Sequence, residues 1–167
     1  GSDVIRMSFH ETNERYPTVD NNGMLIYMRW DYIDRDFSAA HNLWRCFPDG
    51  RDPRSPHGNY PFPHGCWSTS VDGRGDRPFA EYFMRAVPKS NKYMAIASTH
   101  HSPPYGIPIL IDTTIRDDNR LSQVEIITPD CLPFAAECGE YTRRGLYQGI
   151  RYTPIRPECA YFDPWPL

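Results

Sequence analysis

The chain has 167 residues, enough for one domain of ordinary size with a real core. Its formal net charge of −3 carries no basic footprint for nucleic acid or an anionic membrane, and no apolar run approaches the ~18 residues of a membrane span. Seventeen prolines and eleven glycines argue for many turns and against a helical bundle.

In chain order the pattern is that of an all-β protein with long irregular loops. Residues 4–9 alternate as a strand. Residues 16–19 read as an edge strand, because Pro17 cannot donate to a ladder. Residues 24–30, rich in branched and aromatic side chains, predict a strand, and residues 42–47 a second one. A charged connection over 31–41 separates them. Pro48-Asp49-Gly50 then closes the second strand, since Pro presets φ and Gly accepts a positive one.

Residues 51–79 form a long insertion broken by prolines at 53, 56, 61, 63 and 78. Its rings Tyr60, Phe62 and Trp67 predict an ordered loop lying against the domain. Strands follow at 81–87, 93–98 and 107–112, with an imidazole-rich loop at 99–106. Residues 113–121 read as a loop with a helical turn, and 122–130 as a further strand ending in Pro129-Asp130. The run Leu43 to Asp49 lines up with Val124 to Asp130, which suggests a repeat of packed antiparallel blades. Residues 131–167 are mostly loop, with one strand near 149–153. Gly1-Ser2 reads as a scar of tag removal. Asp163-Pro-Trp-Pro-Leu reads as the entry into another strand, so the chain is expected to be a single segment of a larger protein.

Cys46, Cys66, Cys131, Cys138 and Cys159 form no Cys-x-x-Cys pair. Cys131 and Cys138 are spaced to bridge a short loop in an oxidising compartment; buried free thiols are the alternative. Lys89 and Lys92 are the only lysines, so arginine dominates the cations. That choice suits planar pairing with carboxylates and stacking on rings.

Three constellations carry chemistry. His100-His101-x-x-x-Tyr105 offers imidazole, the commonest transition-metal ligand, beside a phenol. Zinc there needs further ligands, with His57, His64 and Cys66 as candidates; the alternative is a loop hydrogen-bonded to its own backbone. His57, Tyr60, His64, Cys66 and Trp67 crowd the long insertion, either as a binding surface or as rings packed on the domain. Asp31, Asp34 and Arg35 stand beside Trp30 and Tyr32. They suit a sugar platform with acid/base carboxylates, or a structural Arg–Asp network. No phosphate-binding Gly-rich loop, nucleophile elbow or His-Glu-x-x-His is present.

Residues 24–35, Asn42-Leu-Trp, Pro48-Asp49-Gly50, His57-Gly-Asn-Tyr60, Arg85-Ala-Val-Pro88, His100-His101, Ile127-Thr-Pro129 and Pro164-Trp-Pro-Leu167 together resemble a known family. They are similar to Pro-Asp-containing β-propeller repeats of the TolB type. More narrowly, they resemble the middle domain of hydrazine synthase alpha subunit-like proteins. The resemblance covers most of residues 10–167. It implies antiparallel four-stranded blades of a β-propeller, here a partial one of about three blades. It also implies a neighbouring haem domain, with a His and a Tyr four residues apart approaching zinc and haem iron. His101 and Tyr105 match that spacing. With no Cys-x-x-Cys-His in the chain, a haem is expected only from another domain.

The expected function is that of an extracytoplasmic binding or scaffolding segment, periplasmic or secreted. Its ligand surface comprises His57, Tyr60, Trp67, His101, Tyr105, Asp31 and Arg35, with His100, His101, His64 and Cys66 as metal candidates. Partners are another domain of the same polypeptide, or a protein or glycan, with self-association through open sheet edges. The alternatives are a shared zinc or haem enzyme site and a carbohydrate-active domain.

Overall fold

The computed structural model describes residues 3–10, 13–31, 41–59, 80–98, 105–118, 121–128, 146–147, 150–151 and 160–167. Among them there is no α-helix, and no helix is long and apolar enough to cross a membrane. The chain is all-β, as its pattern predicts. An open seven-stranded sheet runs in sequence order through β1 Glu14–Val19, β2 Leu25–Trp30, β3 His41–Cys46, β4 Ala80–Ala86, β5 Lys92–Ser98, β6 Ile107–Asp112 and β7 Val124–Ile126. A separate hairpin pairs β8 Leu146–Tyr147 with β9 Ile150–Arg151. All neighbours in the large sheet are antiparallel except β3 and β4, which meet at the single parallel pair His41–Ala80.

That single pair divides the sheet into two units with the same register. In the first hairpin Glu14 faces Arg29, Arg15 faces Met28, Thr18 faces Ile26 and Val19 faces Leu25. In the second Glu81 faces Ala97, Tyr82 faces Ile96, Arg85 faces Met94 and Ala86 faces Tyr93. Both ladders skip two residues at the same place, Tyr16-Pro17 and Phe83-Met84. The first residue of each skip lies in the left-handed region, Tyr16 at φ 57° and Phe83 at φ 56°. These are bulges, which bend a strand and re-aim a side chain. Here they turn the Tyr16 ring onto Phe83, 4.3 Å between centroids. The third strands correspond too, Asn42 facing Arg29 as Ile107 faces Ala97. Arg54 bridges Arg45 in the first unit where Glu125 of β7 faces Leu110 in the second. Each unit is therefore a four-stranded antiparallel meander, the fourth strand of the first unit reduced to one residue.

The two units correspond in a register different from the alignment of residues 43–49 with 124–130. Those two runs are third and fourth strands. A Pro-Asp turn marks where a strand stops, not which strand it is. Residues 4–9 also depart from expectation: they join no ladder, and Val4, Ile5 and Phe9 are exposed. An alternating pattern makes a strand only where a sheet edge and a core receive it. At 121–123 the chain makes a 3-10 turn before a three-residue β7, so the strand expected over 122–130 is shorter.

The core lies between and within the two units. Ile26, Met28 and Leu43 come from the first, and Met84, Ile96, Ile107, Ile109 and Ile111 from the second. In β6 the isoleucines alternate and share one face. β5 is buried along most of its length, which fits its central place between β4 and β6.

Candidate functional site

Two polar assemblies flank the loop that follows Arg54. The first is a fully buried seam between the units. His57, from the end of the first unit, donates Nδ1–H to Gln123 Oε1 at 2.7 Å, and its Nε2 lies 2.8 Å from Glu81 Oε1 on β4. Gln123 Nε2 donates to the carbonyls of Pro56 at 3.2 Å and Ile115 at 2.8 Å. Those two acceptors fix the amide's orientation, so its oxygen faces His57 and the Nδ1 proton is required. One further proton is then shared between His57 Nε2 and Glu81. Burial lowers the basicity of His57, but the Glu81 charge, the hydrogen bonds to Glu81 and Gln123 and the charge of Asp118 outweigh it. The net direction is upward. Glu81 Oε2 is buried without a hydrogen-bond partner.

Local geometry holds His57 there. Gly58 has φ +84°, and a Cβ at that position would collide with the Asn42 side chain. Asn42 Nδ2 donates to the Gly58 carbonyl at 3.0 Å. Ser55 Oγ donates to the His57 carbonyl at 2.7 Å, and Asn59 Nδ2 donates to Asp118 at 2.6 Å. Only glycine permits both the left-handed backbone and the close approach of Asn42.

The second assembly is largely buried at the wall of an open groove. Asp31, at the end of β2, is 3% exposed and lies 3.0 Å from both Arg29 Nε and His10 Nε2. The Arg29 guanidinium sits 4.0 Å over the Trp44 ring. Arg29, Asp31 and Trp44, with Arg54, Ser55 and Asn59, line a groove of about 380 Å³. A larger groove of about 800 Å³ continues along residues 5–10 and shares Arg29. Cys46 lines it, and burial pushes that thiol up, so it stays protonated. Tyr82, on the core side of β4, is pushed up to about 12 by burial.

The residues singled out in the sequence fall into four groups. Asp31 faces the groove. His57 is in the seam with both ring nitrogens engaged, away from solvent. Tyr105 is 38% exposed at the entry to β6, where its carbonyl accepts from Ser98 Oγ at 2.8 Å. Asp34, Arg35, Tyr60, His64, Cys66, Trp67, His100 and His101 lie outside the described residues, as do the other cysteines apart from Cys46. Among the described residues no three His, Cys, Asp or Glu side chains are grouped to hold a metal. Sequence reasoning missed Glu81 and Gln123. A lone carboxylate inside the apolar run Ala-Glu-Tyr-Phe-Met was the available signal for Glu81. Gln123 had none.

No family of known proteins, no curated protein and no solved structure matches this chain.

Proposed function

We propose that the chain is a β-propeller-type binding and scaffolding segment of an extracytoplasmic protein, of about three blades. One observation carries the reading: two successive antiparallel meanders share register, bulge position and fourth-strand contact. Repeated four-stranded sheets set side by side are the unit of propellers. Such a unit buries its face only against its neighbours, and the His57–Glu81–Gln123 seam ties one meander to the next. The groove beside Asp31 is lined from β2, β3 and the segment 53–59 of the first unit.

The ligand surface is that groove. Arg29, Asp31, Arg54, Ser55 and Asn59 offer donors and acceptors around the Trp44 indole. This is the chemistry of a polar, hydroxylated ligand such as a glycan, or of a polar loop on a neighbouring domain. An oligosaccharide array, read on the wild type and on Asp31→Asn, tests it. Binding without turnover, weakened by the substitution, supports the reading. Metal analysis and a haem titration on the same protein test the rival. Stoichiometric zinc or a haem spectrum, lost on His101→Ala, would replace the binding module with a metal or haem site shared with another domain.

A further inference from the structure

Trp44 and Arg45 are neighbours on β3, so their side chains leave opposite faces of the sheet. Trp44 lines the Asp31 groove. Arg45 lines a different pocket, of about 250 Å³, whose walls come from both units. They are the β1–β2 turn at 20–22, the β4–β5 turn at 90–91, and the two threonines that follow β6. Every residue of this lining is among the described ones, and all but Pro56 and Ala86 carry a polar side chain. The two turns are tied together: Asn21 Nδ2 donates to the carbonyls of Val87 and Ser90, each at 2.8 Å. Thr113 Oγ1 donates to the Asn91 carbonyl at 3.3 Å. Two backbone bonds to Arg54, at 2.9 and 2.8 Å, fix the backbone of Arg45. The pocket is therefore formed before a ligand arrives.

Its lining holds one charge of each sign, and the negative one is engaged. Asp20 is 7% exposed; its Oδ1 accepts from the backbone N–H of Asn22 at 2.8 Å and of Met24 at 3.0 Å, and its Oδ2 from the Tyr93 hydroxyl at 3.1 Å. Arg45 is half-buried. Among the described residues the arginine–carboxylate pairs are those of Arg29, Arg51, Arg54 and Arg85, and Arg45 is in none. Burial first, and Asp20 after it, raise the Tyr93 phenol, whereas Arg45 acts against that rise; the guanidinium thus stands beside this hydroxyl. The fold does not need a cation there. Arg45 faces Ile26 as Leu110 faces Met94, and Ile26 and Met94 hold the same register position opposite their bulged strands. The second unit builds the same strand position with leucine.

We propose that this pocket binds a small hydroxylated carboxylate, its carboxylate on Arg45 and its hydroxyls on Asn22, Ser90 and Asn91. A guanidinium presents a planar fork of donors that matches a carboxylate in two parallel bonds, which a lysine cannot do. Asp20 in the same lining favours a single negative charge over a doubly charged phosphate. A volume of about 250 Å³ is the room of roughly eight waters at about 30 Å³ each, enough for one sugar acid and too little for a chain.

The pocket shares no residue with the Asp31 groove, so the two readings fail separately. D-glucuronate, D-galacturonate and D-gluconate are titrated into the whole chain and followed by amide NMR, with D-glucose and inorganic phosphate as the neutral and doubly charged comparisons. The expected result is a saturable shift of the Asn22, Ser90 and Asn91 amides with at least one sugar acid, kept in Asp31→Asn. Binding should be roughly tenfold weaker or lost in Arg45→Leu, the loss of a charge-assisted hydrogen bond. Unchanged exchange of the β5 amides shows that this variant is folded; if it is not, Arg45→Lys, which keeps the charge and loses the fork, must weaken binding instead. Binding unchanged by the substitution, or no shift of those amides at millimolar sugar acid, overturns the proposal. Glucose bound as tightly as the sugar acids overturns the role of the carboxylate, and phosphate bound as tightly overturns the ligand class in favour of a bare anion.

Discussion

At the scale of single residues, the seam and the bulges carry the strongest consequences. Glu81 is 0% exposed, and its charge faces His57 in a site without water-facing alternatives. Replacing one member of a buried pair leaves the other uncompensated, at about 3–5 kcal/mol. Glu81→Ala is expected to lower stability by that order in urea denaturation. The pH dependence has a definite sign. His57 is raised in the folded state, so its contribution is complete below the unfolded imidazole value of about 6.5 and is lost as pH rises through the raised one. The urea midpoint should fall across that rise in the wild type, and the fall should vanish in His57→Gln. A midpoint that rises with pH through this window would contradict the assignment.

Phe83 gives a second residue-level test. Its ring contacts Tyr16 on one side and Phe162 on the other, yet its backbone is left-handed. Removing a large buried ring costs about 3–5 kcal/mol. A side chain with a Cβ adds about 1–2 kcal/mol of left-handed strain that glycine avoids. Phe83→Gly is therefore expected to be less destabilising than Phe83→Ala by about 1 kcal/mol, the reverse of the usual order within a strand. Equilibrium unfolding of the two variants decides it.

At the scale of elements, the β5–β6 hairpin depends on Gly106. A Cβ there would run into the Ala97 carbonyl oxygen and crowd Ser98 Cα at 3.2 Å. Both belong to β5, whose ladder with β6 begins one residue later. Overpacking of this kind costs about 1–3 kcal/mol. Gly106→Ala should destabilise within that range and should speed exchange of the Tyr161 amide, which Gly106 holds. A variant as stable as wild type would show that β5 gives way to the added Cβ without cost. By contrast Gly23, at φ +78°, has no atom within 4 Å of its would-be Cβ, so alanine there meets backbone strain alone.

At the scale of the whole molecule, the two meanders share side chains rather than a continuous ladder. One backbone pair joins β3 to β4, while the seam, the Tyr16–Phe83 rings and the Tyr93–Asp20 hydrogen bond of 3.1 Å bind unit to unit. The units should therefore unfold together. Cys46, a buried thiol of the first unit, reports one; the amides of β5 report the other. Labelling of Cys46 and exchange of β5 should follow the same urea midpoint in the wild type. In Glu81→Gln they should separate. Coincident transitions in both proteins would assign the coupling to the rings and the Tyr93–Asp20 hydrogen bond rather than to the seam.

How much was legible follows the range of the forces involved. Strands β2, β3, β5 and β6 are plain in the chain because alternating branched and aromatic residues, bounded by Pro, Gly and Asn turns, are local signals. The correspondence between the two meanders was not legible in register. Its marks are positive φ at Tyr16 and Phe83, and neither is a glycine or asparagine that would announce it. His57 stood out as an imidazole in a loop, and Asp31 as a carboxylate beside rings. The partners that define them are far along the chain: Glu81 and Gln123 for the one, His10 for the other. By itself the sequence determined an all-β chain and the places of its central strands β2, β3, β5 and β6. Only the tertiary structure decided that His57 is sealed in a seam and that Asp31 lines an open groove. Strand periodicity is written in neighbouring residues, whereas a buried hydrogen bond or a shared bulge is a relation between residues that only folding brings within reach.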